Sequence, residues 1–256
     1  MNTEAVISVL VFLLVMAAII SEKVHRSVAA MAGAVILLLF HVLSIEEATS
    51  YVDINTIGVL VGMMLFVAVV KNSGLFEYVA IKAAKLTKGR PMAIMVVFAV
   101  ITALLSAFLD NVTTVLLIGP MTIAITQMLE VNPIPYLLSQ IMASNIGGTA
   151  TLIGDPPNIM IGSAAGLSFV DFVINTGSVI VIIMAVTVVI YYFMYRSRIS
   201  VVKENMQKVM ELDEDRSIKD KPLLIKSVIM TIVVVIGFVF HSQLQVESAT
   251  VAMFAA

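Results

Sequence analysis

The sequence predicts an all-α integral membrane protein with many helical spans. Three observations carry that expectation. Apolar residues make up 60% of the chain and charged residues only 12%, about half the charged share of a soluble domain. Mean hydropathy is +1.07. The apolar segments are long and do not alternate with polar residues, which suits helices rather than barrel strands. Cysteine is absent, so disulfides, thiolate metal sites and cysteine nucleophiles are excluded. A net charge of −2 says nothing about nucleic-acid or acidic partners; no nucleic-acid partner is expected, and the lipid bilayer is the expected surrounding.

Apolar spans fall near 3–20, 28–43, 56–70, 91–109, 112–128, 135–165 with an interruption, 177–195 and 223–240. Residues 3–20 lack the basic leader and Ala-x-Ala exit of a cleaved signal, so they count as a span. Residues 1–70 are expected to be scaffold transmembrane helices. In 71–90 the stretch from Leu75 to Thr87 is amphipathic. Leu75, Phe76, Val79, Ala80, Ala83 and Leu86 fall on one face, and Lys82, Lys85 and Lys88 on the other. That pattern predicts a helix lying in the cytoplasmic membrane interface. Residues 176–195 form a transmembrane helix. Residues 196–222 are a cytoplasmic loop, and its mixed charges within 197–221 predict a solvated connector. His25, His41 and His241 stand at span ends, where an interfacial role is expected rather than metal binding.

The basic residues set the orientation. Lys23 and Arg26 lie between the first two spans. Lys71, Lys82, Lys85, Lys88 and Arg90 follow the third, and Arg196, Arg198 and the lysines up to Lys226 follow the seventh. The intervening loops carry Glu46, Glu47, Asp53 and Asp171 instead. By the positive-inside rule the basic loops are cytoplasmic and the N-terminus is outside. This describes a multi-pass protein of the cell (inner or plasma) membrane.

Asp110-Asn111 alone joins 91–109 to 112–128. Two full spans and a re-entrant hairpin over 91–128 give the same charge parity. The turn is polar and too short to reach well beyond the headgroups, which favours the hairpin. A weak repeat also stands out. Ser27-Val28-Ala29-Ala30-Met31-Ala32 resembles Thr250-Val251-Ala252-Met253-Phe254-Ala255. Repeated halves of inverted topology are common in transporters. Residues 223–256 are therefore expected to open a second repeat that is cut short, the chain being half of an inverted-repeat fold.

The most informative stretch runs from Ser144 to Asn158, Ser-Asn-Ile-Gly-Gly-Thr-Ala-Thr-Leu-Ile-Gly-Asp-Pro-Pro-Asn. It cannot continue as one helix, because Pro156 and Pro157 lack donors and Gly147, Gly148 and Gly154 weaken helical backbone. Irregular backbone at membrane depth persists only where protein or a water-filled cavity satisfies it. A broken helix of this kind, here 135–165, points to a transport site. Residues 91–175 are thus the expected transport-site region.

From Pro91 to Tyr195 there is no Lys, Arg or His, and the acids are Asp110, Glu130, Asp155 and Asp171. Glu130 and Asp171 sit beside turn signals and are expected to be loop acids. Asp110 and Asp155 each sit at a break between apolar helices, where a carboxylate is a functional hypothesis by default. Each also precedes a helix start and suits an N-cap. Two such breaks in one apolar run favour a shared site. Backbone carbonyls with Asn111, Thr113, Asn145, Thr149 and Thr151 oxygens suit the replacement of water around Na⁺. Free amides suit an oxyanion, but a carboxylate at each helix start works against a multiply charged one. A cation, a proton or a neutral hydroxylated solute fits better.

The run from Asn145 to Asn158 resembles the signature of the ArsB / P-protein (pink-eyed dilution) permeases. That group belongs to the ion-transporter superfamily, with divalent-anion/sodium symporters, citrate transporters and NhaD antiporters. The order of elements over the whole chain is similar to that superfamily's N-terminal half. The resemblance implies a polytopic helical transporter with scaffold, interfacial helix, re-entrant hairpin and broken helix, assembled as a homodimer. It implies that Asn111 and Thr113 belong to a hairpin-tip site and Gly147 to Thr151 to the break. Asp110, Thr114, Gly148, Gly154, Asp155 and Asn158 complete the candidate set. Na⁺ would sit at Asn111, Thr113, Gly147 and Thr151. No cofactor is implied beyond a coupling Na⁺ or H⁺.

The tip reads Asp110-Asn111-Val112-Thr113, without the Ser-Asn-Thr turn of the sodium–dicarboxylate members, and Asp155 stands where they often have Thr. Both departures favour the ArsB / P-protein branch. The expected activity is secondary transport of an inorganic ion or small oxyacid by alternating access, as arsenite or antimonite efflux or as cation/proton exchange. A Na⁺-coupled citrate or dicarboxylate symporter is the alternative. A non-transporting membrane assembly subunit is a more distant reading. So is an intramembrane aspartyl protease, which would need glycine at Leu152 and an unbroken helix at Pro156. No enzymatic activity is expected.

Overall fold

The computed structural model describes residues 3–256. The described residues form helices and turns without strands. They divide into two compact units, one up to Asp53 and one from Ile54 onward.

The first unit holds α1 (Thr3–Ile20), α2 (Arg26–Leu39) and α3 (Ile45–Ser50). The span expected to run to 43 stops at Leu39, because the chain turns left-handed at His41, with φ of 54°. α1 and α2 pack at Gly33, where a Cβ would meet the Val15 side chain at 2.4 Å. Ser44 and Glu47 exchange hydrogen bonds of 3.1 and 2.8 Å and cap α3, as a capping box does.

The second unit opens with α4 (Ile54–Asn72) and α5 (Leu75–Leu86). The hairpin follows as α6 (Pro91–Ser106) and α7 (Asn111–Met128). The interrupted span becomes α8 (Ile134–Gly148) and α9 (Pro156–Ala165). A short α10 (Phe169–Phe172) and a π-turn, Val173–Gly177, lead into α11 (Ser178–Tyr195). The chain then forms α12 (Lys203–Met210), a 3₁₀ turn at Glu214–Ser217, α13 (Lys221–Phe240) and α14 (Ser248–Ala255). Prolines begin α6, α8, α9 and α13, where a missing N–H leaves no helical bond unmade. Among the described residues, five helical segments are long and apolar enough to cross a membrane: Thr3–Ile20, Ile54–Asn72, Asn111–Met128, Phe169–Tyr195 and Lys221–Phe240.

α14 lies along α4. A Cβ at Gly58 would meet Ala249 at 2.7 Å, and one at Gly62 would meet the Ala252 backbone at 2.5 Å. Two glycines four apart let the helix axes approach closely, and in lipid such contact drives association. Asn55 Oδ1 accepts from the Ala249 amide at 2.9 Å and secures the start of α14. One core cluster joins Phe66 and Val70 of α4 to Phe169, Phe238, Leu152 and Ile153. The irregular break is therefore pinned by its own apolar side chains. α11 fully buries no residue, and its half-buried Met184, Tyr191 and Tyr195 pack on the core of the hairpin and α8.

α5 forms where the amphipathic pattern predicts it, and Phe76, Ala80 and Ala83 are buried. The covered face also takes in Ile81 and Ala84, while Leu86 stays 76% exposed. The stretch 197–221 differs from the solvated connector that its charges suggest. α12 buries Val209 completely in the cluster formed with α5, Phe98 and Ile125. The loop seats on the corner at Gly74, whose φ is +84° and where a Cβ would lie 1.9 Å from the Ser217 carbonyl oxygen. Lys219 donates its amide to the Ser73 carbonyl at 3.1 Å and its ammonium to Glu77 at 3.2 Å. Lys85 pairs with Glu214.

Candidate functional site

α6 and α8 run parallel, side by side. Gly147 lies against Ala103, the Ser106 hydroxyl donates to the Ser144 carbonyl at 2.7 Å, and the Thr151 hydroxyl donates to the Ala107 carbonyl. From Ala103 to Ala107 and from Gly147 to Thr151 the partners advance together by four residues. α7 returns antiparallel, with Gly119 near Leu137 and Asn111 at Asn145. The hairpin tip, 107–110, therefore stops beside the break, 149–155, while α9 continues for ten residues beyond it.

Close approach of main chains makes this possible. A Cβ at Gly147 would lie 2.1 Å from the Ala103 oxygen. One at Gly154 would lie 2.5 Å from the Gly148 oxygen and 2.6 Å from the Ser106 oxygen. Backbone meets backbone there, so no side chain can move aside to make room.

The polar groups divide into those that hold the break together and those left free. Asn158 donates from Nδ2 to the carbonyls of Gly148 at 3.1 Å and Thr151 at 2.9 Å. It stitches α8 to α9 across the gap left by two prolines that have no donor. The Thr149 hydroxyl donates to the Asn145 carbonyl at 2.8 Å. Asn111 Nδ2 donates to Asn145 Oδ1 at 3.0 Å and ties tip to break. Asp110 caps α7, its Oδ1 accepting from the Thr113 amide at 2.9 Å. Thr114 is fully buried and donates to the Asp110 carbonyl at 3.0 Å, so it lies inside the hairpin. The Thr113 side chain is half-buried in the first turn of α7.

Asp155 differs from Asp110. It precedes α9 but makes no side-chain cap bond. The prolines at the first two positions of α9 supply no amide, and the Asn158 amide donates to the Asp155 carbonyl at 3.0 Å. The start of α9 thus presents a carboxylate rather than an array of free donors. The charges of Asp110 and Asp155 act on one another. The candidate residues are in this way brought to one place, with Thr114 turned away from it.

The sequence reasoning passed over three contributors. Ser106 and Ser144 lock α6 to α8. Thr176, in the π-turn, donates to the carbonyls of Phe172 at 2.6 Å and Ala150 at 3.3 Å, so it supports the break from outside. The run Asn175-Thr176-Gly177 at the head of an apolar span was the available signal.

A polar hairpin tip docked on an interrupted helix, inside an apolar helical bundle, marks a membrane transporter. The chain belongs to the citrate transporter family (CitMHS), whose model matches residues 16–256. It is similar to a "46 kDa membrane protein" of Mycobacterium leprae, 38% identical over 98% of this chain and 60% of the relative. An "uncharacterized transporter" of Mycobacterium tuberculosis is 38% identical over 98% of this chain and 59% of the relative. The human "P protein" is 40% identical over 67% of this chain and 22% of its own length. The chain thus spans about 60% of the length of its mycobacterial relatives.

Proposed function

We propose that residues 91–165 form one half of the transport site of a secondary active transporter, which moves an inorganic ion or small oxyacid by alternating access. The species held at this half is a cation or a proton, in a cation/proton exchanger or in an arsenite/antimonite exporter coupled to one. The carrying observation is the Asp155 carboxylate, which makes no side-chain hydrogen bond among the described residues and stands at the break, to which Asn111 ties the tip that carries Asp110. A carboxylate used as a cap would be structural, and Asp155 is not so used. Oxygens of Asn111, Thr113 and Thr151 and the carbonyl of Gly147 supply neutral ligands for a coupling Na⁺.

The position of the tip supports a re-entrant hairpin. α6 has 16 residues, about 24 Å of helix, against a hydrocarbon core of about 30 Å. In this reading the basic loops mark the cytoplasmic side of a cell membrane, the rest of the site comes from a second repeat, and two copies form a dimer.

The family's description, citrate transporter, lends weight to a second reading, a Na⁺-coupled citrate or dicarboxylate symporter. A tricarboxylate needs positive potential, and the start of α9 supplies a negative group instead, so this reading comes second.

The test uses the full-length protein in inside-out vesicles with an imposed ΔpH and a pH-sensitive dye, to which Na⁺, K⁺ or Li⁺ is added. Cation-specific collapse that is lost in Asp155→Asn is the expected result. No collapse with any cation removes the exchange reading and turns the search to arsenite flux and then citrate flux.

A further inference from the structure

α8 carries a second polar feature that the transport site does not use. Tyr136, Gln140 and Ser144 stand four apart on one face and lead to Gly148 at the break. They are 0%, 0% and 2% exposed, so this strip faces protein and not lipid. Thr122 and Thr126 of α7 and Thr102 of α6 are fully buried as well. Gln140 Nε2 donates to the Thr122 hydroxyl at 2.7 Å, and the Thr126 hydroxyl donates to the Thr122 carbonyl at 2.8 Å. Three buried oxygens of these helices have no hydrogen-bond partner among the described residues: Gln140 Oε1 and the hydroxyls of Tyr136 and Thr102. Water is the usual remedy for such atoms.

The spacing suits water. Residues four apart rise about 6 Å along a helix, and a water with two bonds of about 2.8 Å spans about 5.6 Å. One end of the seam adjoins a cavity of about 380 Å³ walled by Glu130, Asn132, Pro135, Tyr195 and Arg198. Pro135, next to Tyr136 in α8, walls that cavity, and Tyr136 shares its core cluster with Val131, Tyr195 and Ile199. The other end reaches Ser144, held by Ser106, and Asn145, held by Asn111 beside the aspartates.

We propose that the seam between α6, α7 and α8 holds a file of ordered water molecules that carries protons between the cavity at Glu130 and Asp155 at the break. The inference rests on the cation/proton reading of the site. Each water accepts one proton and releases one, so a proton taken up at the mouth leaves at Asp155 and no other bond changes. Tyr136, Gln140 and Thr122 are positioning residues that orient the waters.

The first experiment is X-ray radiolytic hydroxyl labelling of the full-length protein in nanodiscs, with Phe98, 1% exposed, as the dry control. Water beside Tyr136 should label it about ten-fold faster than Phe98. The second uses the pair Thr122→Val and Gln140→Leu, which removes both partners and strands neither. This pair should bring Tyr136 labelling down to the Phe98 level. It should also slow cation-driven proton flux about ten-fold, with cation-dependent thermal stabilisation unchanged. Tyr136 labelling no faster than Phe98 overturns the hydrated seam, whatever the transport assay shows. Labelled Tyr136 with undiminished flux in the double variant overturns the relay. Labelled Tyr136 in a wild type that moves no protons overturns both the exchange reading and the relay, and leaves only the hydration.

Discussion

The Asn111 side-chain amide donates to the side-chain oxygen of Asn145 at 3.0 Å, across 34 positions of sequence. This bond joins the two places where the apolar run is interrupted. Hydrogen bonds between membrane helices contribute about 0.6 kcal/mol on average, so Asn111→Ala should lower thermal stability only slightly. Transport should fall much further, by about ten-fold or more, because tip and break lose their register and misplacement of about 1 Å is enough for such a loss. Parallel thermal unfolding and vesicle flux would separate the two. Equal, small losses in both would make the bond mere packing.

Asp110 and Asp155 should respond differently to substitution. Asp110 caps α7 through the Thr113 amide, so Asp110→Ala should cost about 1 kcal/mol, and Asp110→Asn much less because Asn also caps well. Asp155 caps nothing through its side chain, so Asp155→Asn should stay within about 0.5 kcal/mol of wild type and yet lose cation-dependent proton movement. Thermal unfolding in detergent decides the structural half. A destabilised Asp155→Asn would return that residue to a structural role.

Three glycines form a graded test of backbone approach. Gly147→Ala and Gly62→Ala would place a Cβ 2.1 and 2.5 Å from backbone atoms, and overpacking of this kind costs about 1–3 kcal/mol. Gly119→Ala meets only Leu137, at 3.8 Å, and should fold as well as wild type. Melting of the three variants by size-exclusion chromatography after heating would show the order. Tolerance of Gly147→Ala would mean that α6 and α8 stand farther apart than their hydrogen bonds require.

The docked loop should loosen in acid. The Lys85 ammonium hydrogen-bonds the Glu214 carboxylate and holds its pKa below the ordinary 4.5. The folded state therefore binds that proton more weakly than the unfolded chain does. The contact stabilises docking above pH 4.5 and is lost as pH falls through the lowered value. Hydrogen exchange of the α12 amides, corrected for intrinsic rates, should rise over that fall in pH, and Glu214→Gln should flatten the response. A wild-type loop with no pH response would assign docking to Val209 and the Gly74 corner alone.

Much of this protein was determined by local chemistry in the sequence. Apolar length set the spans, Pro91, Pro135, Pro156 and Pro222 set helix starts, and Gly166 with φ of +65° ends α9. The two breaks were legible because proline, glycine and polar side chains act on backbone within a turn of where they stand. The tertiary structure decided the rest. Ala103 meeting Gly147, and Gly62 meeting Ala252, depend on main chains from distant segments arriving within contact distance, which no local preference encodes. The charges of 197–221 suggested solvent, yet Val209, Ser217 and Lys219 found a seat on α5 and the Gly74 corner. The distinction between the aspartates was of the same kind. Both precede a helix, and only the geometry of the folded break shows that Asp110 gives its carboxylate to an amide while Asp155 keeps its own free.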